Sequence, residues 1–201
     1  MNTFTKSFTT LTLASVVLVG CMTANGPATA EQGMGQTPMT KTSMKNDEAT
    51  TPKLNDLEIA HIAYTAGATD IRYAHLALAL SEDPEVRNFA ELMIRDHTAV
   101  NNKALALVQK LQITPQDNAM SQQLNQQARQ IREELSQLRG EELAKRYAAN
   151  ELGYHQTVNN VVENTFIPNA KNLELKALLT AALQTFKVHE GHAEAMNNKV
   201  M

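Results

Sequence analysis

From Leu54 onward, apolar residues recur at steps of three and four, the period of an amphipathic α-helix. Between Pro84 and Leu111 one stripe runs Val86, Ala90, Met93, His97, Val100, Ala104, Leu107, Leu111. A second, between Asn172 and Val200, runs Leu175, Leu179, Ala182, Phe186, His189, Ala193, Met196, Val200. Alternating steps of four and three describe a seam that faces a core. The breakers between the periodic segments set their ends. Asp83 can cap a helix that opens on Pro84, Thr114-Pro115 closes that helix, Gly140 interrupts the chain, and Pro168 closes the next segment. The pattern therefore predicts helices over about Leu54–Leu80 (A), Pro84–Leu111 (B), Asn118–Leu138, Glu141–Thr165 (C) and Asn172–Val200 (D). No turn signal joins alternating apolar runs, so strands are not expected.

Four long helices of similar length pack most naturally as a four-helix bundle. The Gln-rich fifth helix, at 1.5 Å per residue, is about 30 Å long, most of the length of such a bundle. Placed between B and C, it can return the chain to the end where B began. That single long crossover is a feature of ferritin-like folds. A plain up-down bundle with a helix on its flank is the alternative, and the helix's length favours the crossover. The expected fold is thus all-α, a ferritin-like four-helix bundle with a helical crossover between B and C.

Each of these helices carries a polar interruption on its inner face. His97 and His189 break the stripes of B and D. On C, Glu151 and His155 are four residues apart and share a face. On A, Asp70 lies among Ala63, Gly67, Ile71, Ala74 and Ala77, small neighbours that let another group approach closely. Measured from the end where A turns into B, Asp70 lies about 17 Å down and His97 about 20 Å. With the crossover, His155 lies about 21 Å and His189 about 17 Å from the same end. The four helices then contribute to one polar layer inside an apolar interior.

Unpaired polar groups there cost several kcal/mol, so the layer needs partners. Imidazoles with one or two carboxylates suit a divalent transition metal such as zinc, copper, nickel or iron. Asp70, His97, Glu151, His155 and His189 are the candidate ligands. The alternative is a hydrogen-bonded layer in which Asp70 and Glu151 accept from imidazoles, joined by Tyr147 or Tyr154, and which only sets helix register. A di-iron centre of ferritin type needs Glu-x-x-His on two helices. Here Ile94, Leu152 and Phe186 stand three residues before His97, His155 and His189. The Glu58-to-His61 motif falls near the start of helix A, far from the layer. His189-Glu190-Gly191-His192 is one residue too short for a zincin pair. His75 and His192 are expected on flanks or in solvent. No residue set defines a reaction, so no catalytic residue is assigned.

The N-terminal region carries different information. An uncharged run from Leu11 to Gly20 follows Lys6 and ends at Leu18-Val19-Gly20-Cys21. It is shorter than the roughly 20 apolar residues a spanning helix needs and fits the apolar part of an export signal. Cys21 is the chain's single cysteine, so no internal disulfide can form. The stretch resembles the lipobox of bacterial lipoproteins; the alternative is an ordinary cleaved signal ending near a cysteine. The resemblance implies residues 1–20 as a signal peptide, cleavage before Cys21, and three acyl chains that anchor the protein in a membrane, a hold far beyond that of a single chain. In such lipoproteins of Gram-negative bacteria an Asp directly after the cysteine tends to retain the protein in the inner membrane. Met22 stands at that position, so for a host with two membranes the resemblance implies the outer membrane, facing the periplasm. Residues 21–53 read as a tether, rich in Thr, Gly, Pro, Gln, Lys and Met and without Val, Ile or Leu, too poor in apolar surface to offset its ordering entropy. Met34, Met39 and Met44 recur within it. Thioether capture of Cu(I) is one reading, and chance spacing in a linker is the favoured one. Residues 54–201 form the bundle domain.

The formal net charge is −3, and losing Lys6 with the signal takes it to −4 (−3 minus one). With no Lys/Arg cluster along the chain, a nucleic-acid partner is not expected. Several motifs together are similar to those of exported bacterial proteins with a ferritin-like domain of unknown function, often labelled outer membrane proteins. They are Asp70-Ile71 with Leu76-Ala77, Val86-Arg87-Asn88-Phe89-Ala90 leading to Arg95-Asp96-His97, Leu138-Arg139-Gly140 with Arg146-Tyr147, His155, and His189. The resemblance covers about Asp56 to Met196 and implies the ferritin-like fold and an envelope location, with no activity attached. That family usually has Glu where this chain has Asp70, and Phe-Asp where it has Leu143-Ala144.

Overall fold

The computed structural model describes residues 53–201. The expected signal peptide, Cys21, Met34, Met39, Met44 and almost all of the expected tether lie outside them. The order is α1 (Asp56–Leu80), α2 (Pro84–Leu111), α3 (Ala119–Gln137), α4 (Gly140–Val161), a π-helical turn (Val162–Phe166), α5 (Ile167–Asn169) and α6 (Leu173–Val200). Among the described residues there is no strand, and no helix is long and apolar enough to cross a membrane. The protein is an all-α bundle.

Local chemistry explains the helix starts. Asn55, Asp83, Asn118 and Asn172 each cap a helix by accepting from two backbone N–H groups of its first turn. Asn55 and Glu58 complete a reciprocal capping box. Pro84 occupies the first turn of α2, where no N–H is needed. The Arg87 guanidinium donates to the carbonyls of Leu78 and Ser81 at 2.8 and 3.0 Å, tying the α1–α2 turn together. Gly140 adopts a φ of 54°, a left-handed conformation that glycine tolerates without strain, and this redirects the chain from α3 into α4.

Helix C is longer than its sequence suggests. It runs on from α4 through the π-turn and α5 to Asn169, past Pro168. Pro168 has no N–H for a carbonyl one turn back, and its ring would crowd that carbonyl in a regular helix. The wider π-turn just before it relieves the crowding. It also faces Val162 and Phe166 into the core.

The direction of each helix follows from contacts at the two ends. At one end the Asp56 carboxylate accepts from the backbone N–H groups of Lys171 and Asn172 at 2.8 and 2.9 Å. There too the Gln116 N–H donates to the Leu57 carbonyl at 3.2 Å. So α1, α3 and α6 all start at this end. At the other end Lys199 pairs with Glu85 at 2.9 Å, and Gly140 and Glu141 border a hollow with Asp83 and Glu85. So α2 and α4 both start there, parallel to each other, and α3 carries the chain back between them: the expected crossover. α3 packs along α1 through Ser121, Ala128 and Leu135, one residue per heptad. So narrow a strip suffices for a helix laid on the outside of the bundle.

α1 consequently has neighbours on two sides and buries a broad face, whereas α2 packs chiefly on α1 and α6. The stripe of α2 is fully buried only from Val86 to His97. Val100, Ala104, Leu107 and Leu111 are half-buried, and the buried residue in that half is Asn101. Asn101 reaches α1 because Gly67 leaves room for it: a Cβ on Gly67 would stand 2.5 Å from its Oδ1. Two apolar clusters form the core. One gathers Tyr73, Ala77, Val86, Phe89, Met93, Leu143 and Tyr147. The other gathers Ile59, Ile62, Val162, Phe166, Leu175, Leu179 and Leu183. Between them in sequence along every long bundle helix lie the buried polar residues.

We expect Gly67→Ala to destabilise the bundle by about 1 kcal/mol in urea unfolding. The overpacking penalty of about 1–3 kcal/mol outweighs the roughly 1 kcal/mol gain in helix propensity. Adding Asn101→Ala should recover part of the loss. Unchanged stability in the single variant would contradict the close approach.

Candidate metal centre

Asp70 comes from α1, His97 from α2, Glu151 and His155 from α4, and His189 from α6. All five are buried. The structure brings together every residue assigned to the layer from sequence. Asp70 Oδ2 lies 3.2 Å from His97 Nε2 and 3.4 Å from His155 Nε2. The three imidazoles face one another, with ring centres 5.7 Å apart for His97–His155, 5.2 Å for His97–His189 and 5.5 Å for His155–His189. Phe186, one turn before His189, stacks on His97 at 4.8 Å with planes 6° apart, and so fixes the orientation of that ring.

The hydrogen bonds around the rings assign their tautomers. His155 Nδ1 lies 2.9 Å from the carbonyl of Glu151, one turn back on α4. A carbonyl only accepts, so Nδ1 carries the proton and the Nε2 lone pair points into the layer. His189 Nε2 lies 3.0 Å from Asp96 Oδ2, so it donates there, and the Nδ1 lone pair is left facing inward. His155 Nε2, His189 Nδ1, both nitrogens of His97 and both oxygens of Asp70 are buried without a hydrogen-bond partner among the described residues. No ring N–H is aligned on Asp70, and a protonated Asp70 carboxyl 3.4 Å from His155 Nε2 can turn its own O–H toward that lone pair.

Two sets of groups fit an ion. One ring nitrogen from each of His97, His155 and His189 lies within 4.8 Å of the others, as does one ligand atom from each of Asp70, Glu151 and His155. Nitrogens held at about 2.1 Å from one ion stand about 3.4 Å apart in a tetrahedron, so rotations of the rings toward the centre would close the set.

Burial governs the charges. It pushes the Asp70 carboxyl up to about 8. It raises Glu151 well above the usual carboxylate range, and the neighbouring Asp70 raises it further. His155 is driven down to about 4 by burial. His97 is held well below the ordinary imidazole range by burial and then by His155 and His189. His189 is lowered by burial, against the opposing pull of Asp96. Without a cation the layer is therefore a set of neutral rings and carboxyls that resist ionising. Neutral imidazole is the form that ligates metals.

Some neighbours behave differently from the sequence reading. Tyr154 does not join the layer; its hydroxyl donates to the Ala66 carbonyl at 2.9 Å. The Tyr147 hydroxyl is buried without a partner among the described residues. Glu58 and His61 lie near the far end, His61 beside Asp117 at 3.4 Å. His75 and His192 are exposed, as expected. Sequence reasoning missed Asp96 as a member of the site. It lies just off the inner stripe of α2 yet reaches across to α6, and its exposed neighbour Arg95 holds it at 2.7 Å. Its adjacency to His97 was the available signal. Asn159 was also missed: it crosses to α6, donating to Glu190 at 2.6 Å and to the Phe186 carbonyl at 3.3 Å.

Comparison with known proteins adds a family and no chemistry. No curated protein and no solved structure matches the chain. The model of a family described as a domain of unknown function (DUF4142) matches residues 40–196, a span that contains α1 to α5, all but the last turn of α6 and every residue of the buried layer. The chain belongs to that family.

Proposed function

We propose that this chain is a lipid-anchored protein of the bacterial envelope whose bundle holds a divalent transition metal. His97, His155 and His189 are the nitrogen ligands, and Asp70 or Glu151 supplies the carboxylate. The observation that carries the reading is the pair of oriented rings. His155 and His189 each commit one nitrogen to a protein acceptor and leave the other buried without a hydrogen-bond partner among the described residues. An outer partner that sets ring orientation and basicity is a recurring feature of metal-bound histidine. The anchor rests on Leu18-Val19-Gly20-Cys21, and the crossover supports a ferritin-like bundle. A second reading, in which the layer only sets helix register, draws on the tendency of the same groups to stay neutral, which lets them sit in the core without an ion.

Elemental analysis of the full chain, purified without chelators, should find one transition-metal ion per chain, and His97→Ala should abolish it. An ion at about a hundred times its Kd adds about 2.7 kcal/mol. Chelation should then lower the Tm by roughly 5–10 °C. A midpoint indifferent to chelator, with no ion bound, would establish the register reading instead. Asp96→Asn should weaken metal binding by about 10- to 100-fold while leaving the stoichiometry intact at saturation; unchanged affinity would remove Asp96 from the site. Cys21→Ser should abolish acyl labelling and move the protein from the membrane to the soluble fraction, and persistence of the label would overturn the anchor.

A further inference from the structure

The seven arginines of the described residues divide into two groups. Arg87 and Arg139 donate to main-chain carbonyls. Arg95 and Arg146 pair with Asp96 and Glu134. Arg72, Arg129 and Arg132 have no hydrogen bond and no ion pair among the described residues. These three line one shallow, open groove of about 600 Å³ between α1 and α3, with His75, Leu76 and Glu133 among the other walls.

Topology brings them together. Arg72 lies on the side of α1 toward the crossover helix, and Arg129 and Arg132, three apart on α3, share a face. Arg72 and Arg129 are exposed, whereas Arg132 is half-buried and its Nη1 is buried with no acceptor. A charged donor removed from water without an acceptor costs more than the 1–3 kcal/mol of a neutral one. Three guanidiniums against one carboxylate leave the groove with an excess of two positive charges, on a chain whose net charge is −3.

We propose that the α1–α3 groove binds a phosphate group through Arg72, Arg129 and Arg132. The guanidinium fork matches phosphate oxygens two at a time. Phosphate, with a charge between one and two at neutral pH, outcompetes the single carboxylate of Glu133 for the three cations. Leu76 gives the groove an apolar wall beside the cations. The phosphate can belong to a soluble molecule or to a lipid headgroup, which share this chemistry.

The test uses the full chain carrying Cys21→Ser, so that no acyl group contributes. Calorimetric titration with inorganic phosphate at constant ionic strength, balanced with chloride, should show saturable binding. The exposed pair Arg72→Gln with Arg129→Gln should weaken it at least tenfold with the Tm unchanged, and Arg132→Gln should do the same if that variant keeps its fold. A parallel arm measures co-sedimentation with phosphatidylglycerol and phosphatidylcholine vesicles. Arginine-dependent binding to phosphatidylglycerol alone assigns the site to headgroups; binding to free phosphate without co-sedimentation assigns it to soluble phosphate. Absence of both, or binding that the double variant retains at full strength, overturns the proposal. His97→Ala should leave phosphate binding intact, which separates this groove from the buried centre.

Discussion

Everything in this bundle is arranged around the cost of burying Asp70. A carboxyl with no water access, and with two imidazole nitrogens within 3.4 Å, cannot ionise cheaply and cannot be left alone. Its position on α1 lets one group from each of α2 and α4 reach it. His189 completes the ring of imidazoles without touching it. The layer divides an otherwise apolar interior, so the two hydrophobic clusters can close only when the four helices stand at heights that bring these groups together. Register and chemistry are one constraint here.

The connectivity of the bundle follows from its crossover helix. α2 and α4 run in the same direction because α3 takes the chain back along the outside of α1. His155 lies near the middle of the helix that runs from Gly140 to Asn169, so its height matches that of His97, and the direction of the helix decides which other residues of α4 flank the layer. α3 needs little core of its own, since Ala128 and Leu135 bury enough to hold it against α1 while its polar face meets solvent. The same placement gives α1 two packed sides, and it sets the arginines of α3 beside Arg72.

Around the layer, each contact orients another group. Phe186 holds the plane of His97, the Glu151 carbonyl holds the proton of His155, and Asp96 holds that of His189. Gly67 and Asn101 bring α1 and α2 close just below Asp70. These contacts pre-orient the rings. Preorientation lowers the reorganisation that an incoming ion would require, and it serves equally to keep a neutral network in one arrangement.

The amino-acid pattern alone determined the number, order and approximate ends of the long helices. Caps such as Asn55, Asp83 and Asn172 are local chemistry, and the apolar period is written in consecutive residues. It also determined that Asp70, His97, Glu151, His155 and His189 face inward, because each interrupts or accompanies an apolar seam. Counting 1.5 Å per residue placed them at one height once a crossover was assumed. Tertiary structure decided what depends on distance between helices. It turned two lone pairs inward through partners on neighbouring turns and helices. It drew Asp96 into the site from beside the seam and sent Tyr154 to the Ala66 carbonyl. It let the helix run past Pro168 through a π-turn. It also gathered three arginines that look unremarkable in sequence, since 57 residues separate Arg72 from Arg129 (129 minus 72). Periodicity reports which way a side chain faces along its own helix; what it meets there depends on how the helices cross, and that is settled only by packing.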